Sequence, residues 1–162
     1  MEIIDSVPKE KLVAFSGEHL YYEISMLYGV SQSLIRGTTH LHIYNAMLES
    51  FVIHASVIID FFYKPQSGPE DAKAVHFMSD VKEWRAVLPP IDKDFRDFQK
   101  KRNRHVVHLS YDRLNVRPED KKWGSPKLTR KIRRIVDLFL EYADPDRVHP
   151  RLYELRSAPA AR

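Results

Sequence analysis

The stretch HLHIYNAMLESFVIHASVIIDFFY, residues 40–63, decides the fold because it has helical spacing and is apolar on more than one face. Thr38 or Thr39 can cap its start. A helix that is apolar over so much of its circumference lies at the centre of a bundle or in a dimer interface. One stripe consists of Ile43, Met47, Phe51, His54, Ile58 and Phe61, and it is widened by Val52, Val57, Ile59 and Phe62.

Further helices on either side of this stretch are predicted from apolar residues at three-to-four spacing, with Gly and Pro at the loops. Residues 64–70, KPQSGPE, and residues 115–124 read as loops. Before the central stretch, one helix is capped by Ser6 and ended by Gly17, and a second runs from about Leu20 to Ile35 and is ended by Gly37. After it, a short helix spans Ser79 to Ala86. Two longer helices follow: Asp92 caps one that runs to about Leu114, and Ser125 caps one that runs to about Ala143.

These elements predict an all-α protein, a single-domain up-and-down helical bundle of four to five main helices. No alternating strand, internal repeat or Gly-rich phosphate loop is present in the sequence. The helical domain is expected to cover residues 1–144. Residues 145–162 form a C-terminal extension, which we expect to be partly flexible because it ends in RSAPAAR.

The composition of the chain restricts the classes of protein to which it can belong. The chain has 162 residues, 43% of them hydrophobic, which is enough for a globular core. It has no cysteine, which excludes disulfides and thiolate metal sites. The start, MEIIDSVPKEKL, lacks the pattern of a secretory signal, and His54, Asp60 and Lys64 interrupt the longest apolar run. We therefore expect a cytoplasmic protein without a membrane segment.

Positive charge is concentrated in the last third of the chain. Residues 100–134 contain 13 Lys and Arg but three acidic residues, a local balance of +10, so the remainder carries −6 to give the net charge of +4. Clustered Lys and Arg bind polyanions by releasing phosphate counterions, which favours a nucleic-acid partner. A basic surface without a ligand is the alternative.

Residues 102–113, RNRHVVHLSYDR, combine three arginines, two histidines and an asparagine with apolar residues of a helix face. Cleavage of RNA without a metal needs groups that move protons and a cation that stabilises the phosphorane. The pKa of about 6.5 lets histidine take either proton-transfer role, and the arginine fork matches phosphate oxygens. The alternative is a solvated basic face.

Spacing restricts how these residues can meet. On a straight α-helix, Arg102 and His108 are about 120° apart in projection and do not share a stripe. The pairs Arg104–His108 and Arg102–His105 do share a face. A site that uses Arg102 and His108 therefore needs a helix end or bend near Arg102, or a second copy of the chain.

The motif RNRHVVH resembles the signature of the HEPN superfamily, small all-α domains in which an Arg, usually followed by a polar residue, is separated from a His by four to six intervening residues. Arg102, Asn103 and His108 match it with five intervening residues. The resemblance covers roughly residues 39–114, including the central helix ESFVIHASVIIDFFY. The chain departs from bacterial relatives of this kind at Ser56-Val57, where they tend to carry Arg-Asn.

The resemblance implies a metal-independent endoribonuclease without a cofactor. Members of the superfamily that keep the motif act as homodimers whose motifs face each other, and several are toxins that a partner protein neutralises. Carried over by position, His108 is the general acid or base, Arg102 binds the phosphate and the transition state, and Asn103 is the orienting group. An RNA substrate, a homodimer and an antitoxin protein are the implied partners.

Further residues are candidates for supporting the site or for binding RNA. His54 and Asp60 on the central helix either support the site or are a core histidine and a helix-end carboxylate with partners of their own, since unpaired burial is expensive. Tyr111 and Trp123 can stack on bases or pack under turns. The candidate RNA-binding residues of the basic region are Lys101, Arg104, His105, Arg113, Lys121 and Lys122.

Two alternatives to a metal-independent nuclease are considered. The first is a metal site, since the eight histidines include His40, His42 and the His105–His108 pair. The chain has no cysteine and no H-E-x-x-H pattern, so we expect no metal site. The second is a non-catalytic helical dimer that binds RNA or a protein through residues 100–134.

Overall fold

The computed structural model describes residues 7–65, 68, 70–103, 106, 111–115 and 122–156. It confirms the predicted all-α class, and within these residues the β-structure is limited to one isolated bridge between Met78 and Ala143. The α-helices are α1 (Lys9–Phe15), α2 (Tyr21–Arg36), α3 (Leu41–Tyr63), α4 (Val81–Val87), α5 (Lys93–Arg102) and α6 (Ser125–Tyr142). A π-helical turn (Ser16–Leu20) joins α1 to α2, and 3-10 helices cover Ala74–Phe77, Tyr111–Asn115, Pro145–Arg147 and Pro150–Leu155.

The prediction that Gly17 ends a helix is wrong. Gly17 lies inside the π-helical turn, and the chain stays helical from α1 through α2. The glycine is needed because His149 packs directly against it, and a Cβ atom at residue 17 would lie 2.6 Å from Cγ of His149. The backbone N–H of His149 also donates to Oγ of Ser16 at 2.9 Å. Gly17 therefore marks a close packing contact.

Helices α2 and α3 form an antiparallel pair. Gly37 ends α2 as predicted, with a φ of 75° that favours glycine. The predicted cap of α3 is wrong, since His40 occupies that position without a side-chain cap bond, and Thr38 accepts a hydrogen bond from the backbone N–H of His40 instead. The start of α2 meets the middle of α3 through Glu23 and His54.

Phe139 of α6 lies at the centre of the core. Its ring packs edge-on against Phe61 and Phe62 of α3 at 5.6 and 5.7 Å. It also contacts Phe77 at 5.6 Å and Trp84 of α4 at 6.2 Å. Edge-to-face aromatic pairs of this kind stabilise a core beyond the area that they bury. This cluster fixes α6 and α4 against the inner side of α3.

Helix α6 runs antiparallel to α2. Its first half meets the end of α2, where the Thr129 hydroxyl donates to Ser31 at 2.9 Å and the Arg133 guanidinium lies 3.8 Å from the ring centroid of Tyr28. The prediction that Ser125 caps α6 is wrong, because the cap residue is Gly124 in a left-handed conformation with a φ of 59°.

The segment after α6 packs onto the helical body. Val148 and Leu152 are buried, and Asp144 donates its backbone N–H to the Phe77 carbonyl at 2.8 Å. Residues 145–156 thus pack closely on the body, with His149 against the π-helical turn. Residues 157–162 of the predicted extension, and the predicted cap Ser6, lie outside the described residues.

An ion-pair network joins the start of α5 to α6. Asp92 caps α5 as predicted and accepts from the Phe95 backbone N–H at 3.1 Å. The Lys131 ammonium contacts the carboxylates of both Asp92 and Asp94. Hydrogen bonds from Lys131 and then Lys127 lower the pKa of Asp94 to about 2, and the hydrogen bond from Lys131 also lowers that of Asp92.

Gly17→Ala should destabilise the protein, because the new methyl group meets the His149 side chain and overpacking costs about 1–3 kcal/mol. Gly29→Ala is the matched control, since Gly29 is exposed on α2 with no atom within 4 Å of the added Cβ. It should stabilise by about 0.5–1 kcal/mol through helix propensity. Urea unfolding followed by circular dichroism measures both. Equal stabilisation by the two substitutions would contradict the contact.

The Asp94 network predicts a loss of stability in acid. A carboxylate whose pKa is lower in the folded state stabilises above its unfolded pKa of about 3.9, and this stabilisation disappears as the pH falls towards 2. Lys131→Met should flatten the fall in unfolding free energy between pH 4 and pH 2, while Lys82→Met on the exposed side of α4 should not. Urea titrations across this range test it, and parallel pH profiles for wild type and Lys131→Met would contradict it.

Candidate functional site at the end of helix α5

Arg102 is the last residue of α5 and the centre of the candidate site. Its Nε donates a hydrogen bond to Oδ1 of Asn103 at 3.1 Å. Its Nη1 lies 3.8 Å from Oδ2 of Asp60 on α3. The Arg102 and Asp60 side chains are 22% and 30% exposed, so solvent reaches both. The structure thus brings Arg102, Asn103 and Asp60 together at one point on the surface.

The predicted helix from Asp92 to about Leu114 is α-helical only as far as Arg102 within the described residues. The α-helix ends at Arg102, Asn103 and Val106 are π-helical, and Tyr111–Asn115 is a 3-10 helix. The described residues Asn103 and Val106 thus depart from α-helical geometry. His108 lies outside the described residues, as do Arg104, His105 and Lys121.

His54 is a core residue with a partner inside the bundle. It is 7% exposed, and its Nδ1 lies 2.7 Å from Oε2 of Glu23 on α2. The Tyr22 ring packs edge-on against it at 5.6 Å. Of the two residues proposed as support, Asp60 contacts Arg102 and His54 pairs with Glu23. Sequence analysis missed Glu23, although a buried histidine at this position signals that some partner is required.

Lys101, Arg113 and Lys122 of the proposed RNA-binding set line one cleft with Trp123. The Lys101 ammonium donates to the Lys122 carbonyl and lies 4.6 Å from the ring centroid of Trp123. Trp123 packs edge-on against Phe98 of α5 at 5.9 Å. Tyr111 is 89% exposed on its 3-10 helix. Lys101 thus lies next to an aromatic ring in this cleft, and Arg113 and Lys122 line the same cleft.

An apolar stripe runs along the outer side of α3 and ends at Asp60. Ile43, Ile53 and Val57 are 52%, 54% and 46% exposed. We call Ile43, Ala46, Ser50, Ile53, Val57 and Asp60 the outer stripe of α3; its members follow one another at alternating intervals of three and four residues. This spacing is typical of a seam between two packed helices. An exposed apolar surface of such regularity indicates an interaction site.

Two further features concern metals and membranes. No group of three His, Asp or Glu side chains suited to a metal occurs within the part of the chain that the structure describes. Helix α3 is long and apolar enough to cross a membrane by length and composition, and half of its apolar window is buried inside the structure. The absence of a membrane segment and a cytoplasmic location stay predictions.

Comparison with known proteins gives no relative: no protein-family model matches the chain, and neither the curated proteins nor the solved structures include a match. The resemblance to the HEPN superfamily therefore rests on Arg102, Asn103 and His108 and on their position after a long central helix.

Proposed function

We propose that this protein is a metal-independent endoribonuclease of HEPN type that acts as a homodimer. The observation that carries the proposal is the environment of Arg102 at the end of α5. Its guanidinium is oriented by Asn103 and Asp60, is reached by solvent, and borders the outer stripe of α3. A permanently charged, oriented fork in a basic region is the group that a phosphodiester requires.

Arg102 and His108 would have different catalytic roles in the cleavage of RNA. The 2′-oxygen of a ribose attacks the neighbouring phosphorus and gives up its proton, the bond to the 5′-oxygen breaks, and that oxygen gains a proton. The products are a 2′,3′-cyclic phosphate and a 5′-hydroxyl. His108 would act as general acid or base, and Arg102 would stabilise the charge on the phosphorane.

Asn103 and Asp60 would position Arg102. The Asn103 amide oxygen accepts from Nε, which fixes the plane of the guanidinium group. At 3.8 Å, the Asp60 carboxylate is farther away than the 2.7–2.9 Å typical of a charge-assisted hydrogen bond. Asp60 therefore attracts the guanidinium without a direct hydrogen bond to it, and an incoming phosphate can compete for the fork.

The homodimer would form through the outer stripe of α3. Its alternating spacing suits a second copy of the same helix, and an isologous pair buries the same apolar residues on both copies. Because Asp60 ends this stripe and contacts Arg102, pairing near Val57 would bring two copies of the motif to one cleft.

The superfamily resemblance also implies a toxin of a toxin–antitoxin or defence system, with an antitoxin protein as partner.

A non-catalytic helical dimer that binds RNA or a protein partner is the second candidate. The position of Lys101, Arg113 and Lys122 around one cleft favours it, because clustered cations bind a polyanion without any proton transfer. It predicts salt-sensitive binding without product, and an affinity that His108→Ala leaves unchanged.

His108→Ala should reduce RNA cleavage in EDTA by about 10²–10⁴-fold, because it removes the proton-transfer group. Arg102→Lys keeps the charge, loses the fork and should cost about 10²–10³-fold. His19→Ala, an exposed histidine of the π-helical turn, is the control. Gel analysis of product ends gives the rates, and circular dichroism checks the fold. Undiminished cleavage by His108→Ala would reject the nuclease assignment.

Ile53→Glu should dissociate the dimer and abolish cleavage, because it places a charge within the apolar outer stripe. Ala86→Glu adds the same charge to an exposed position on α4 and should change neither property. Sedimentation velocity at micromolar concentration and the cleavage assay provide the two readouts. A wild-type protein that sediments as a monomer while cutting RNA would contradict the dimer.

A further inference from the structure

A cleft of about 770 Å³ lies between the first half of α3, the end of α5 and the start of α6. This volume is in the range of about 300–1,000 Å³ that small-molecule sites occupy. Lys101 in its wall lies on the last turn of α5, the turn that also carries Arg102. The described lining residues are Tyr44, Asn45, Leu48, Lys101, Arg113, Lys122, Trp123, Gly124, Ser125 and Pro126.

The charge of the cleft favours an anion. Lys101, Arg113 and Lys122 bring three cations to it, and none of its described lining residues is acidic. These cations come from three separate segments of the chain, α5, the 3-10 helix and the residues before α6. Their convergence on one cleft concentrates positive potential where phosphate groups can bind.

The aromatic residues favour a nucleobase next to that anion. Trp123 is held in place by edge-on packing against Phe98 at 5.9 Å, and Tyr44 of α3, which is 39% exposed, also lines the cleft. Flat aromatic rings beside Lys and Arg are the usual platform for a single-stranded nucleotide, because the base stacks while the cations contact the phosphate.

We propose that this cleft holds one nucleotide of a single-stranded RNA, with its base against Trp123 and its phosphate on Lys101, Arg113 and Lys122. This inference rests on the proposed nuclease function, since it assigns a place where part of the substrate strand is held. Arg102 does not line the cleft and instead contacts Asp60, which lies 12 residues after Leu48 on α3, about 18 Å along the helix. A strand held in the cleft would therefore reach Arg102 through its further nucleotides.

The test measures binding separately from cleavage. The probe is a fluorescein-labelled tetranucleotide with 2′-O-methyl groups on every ribose, which removes the attacking hydroxyl. Fluorescence anisotropy at several salt concentrations gives Kd. Trp123→Ala should weaken binding by about 5- to 100-fold. Arg113→Ala and Lys122→Ala should each weaken it and lower the salt slope by about 1. Arg130→Ala, which removes an exposed charge of α6 outside the cleft, is the matched control.

The outcomes separate this inference from the proposed function. Selective weakening by the cleft variants supports the inference, even if the wild type cuts no RNA. Arg113→Ala and Lys122→Ala that bind like wild type, or no more weakly than Arg130→Ala, overturn it even if His108→Ala abolishes cleavage. 5′-AMP that binds as tightly as the tetranucleotide would make the cleft a free-nucleotide site and overturn it as well. Because Arg113 and Lys122 lie outside the apolar core, these two variants decide the matter if Trp123→Ala fails to fold.

Discussion

Helix α3 has apolar side chains around most of its circumference, and the packing within one chain covers its inner side. That inner side holds the bundle together, since Phe61 and Phe62 meet Phe139 of α6 in the central aromatic cluster. The outer side keeps Ile53 and Val57 about half exposed. A regular apolar stripe in water is unfavourable unless another surface covers it. The same helix therefore organises the fold and defines the face on which a partner is proposed.

The candidate site lies where this outer side meets α5. Asp60 ends the outer stripe, and Arg102 ends the α-helical part of α5, so their contact joins the apolar face to the basic region. Arg102 is oriented by Asn103, the residue that follows it, and Lys101, which precedes it, lines the cleft with Trp123. Lys101 and Arg102 are consecutive in sequence, but Lys101 lines the cleft with Trp123 whereas Arg102 contacts Asp60. The last turn of α5 would therefore contribute one cation to each of two places on the proposed RNA-binding surface.

The parts of the fold that follow from local periodicity could be predicted from the sequence, whereas those that depend on distant contacts could not. The long apolar helix and its break at Gly37 are evident from spacing and from the conformational freedom of glycine. The role of Gly17 cannot be predicted from local sequence because it depends on His149, which tertiary packing alone brings close. The π-helical residue after Arg102 has no comparable sequence signal. Asp60 could be proposed from the sequence as support for the site, and it does contact Arg102. The pairing of His54 with Glu23 could not be predicted, because it depends on how α2 packs against α3.

The most direct test of the central claim is a cysteine placed on the outer stripe beside the site. The chain has no cysteine, so Val57→Cys introduces a single thiol one turn before Asp60. In the proposed homodimer the outer stripes of α3 pair near Val57, which would bring the two residues 57 close together. Mild oxidation should then link the two copies, since a disulfide forms when Cα atoms lie within about 4.4–6.8 Å. The account predicts a disulfide-linked dimer for Val57→Cys and a monomer for Ala14→Cys on the exposed side of α1. Oxidation of Val57→Cys that is no faster than that of Ala14→Cys would contradict it.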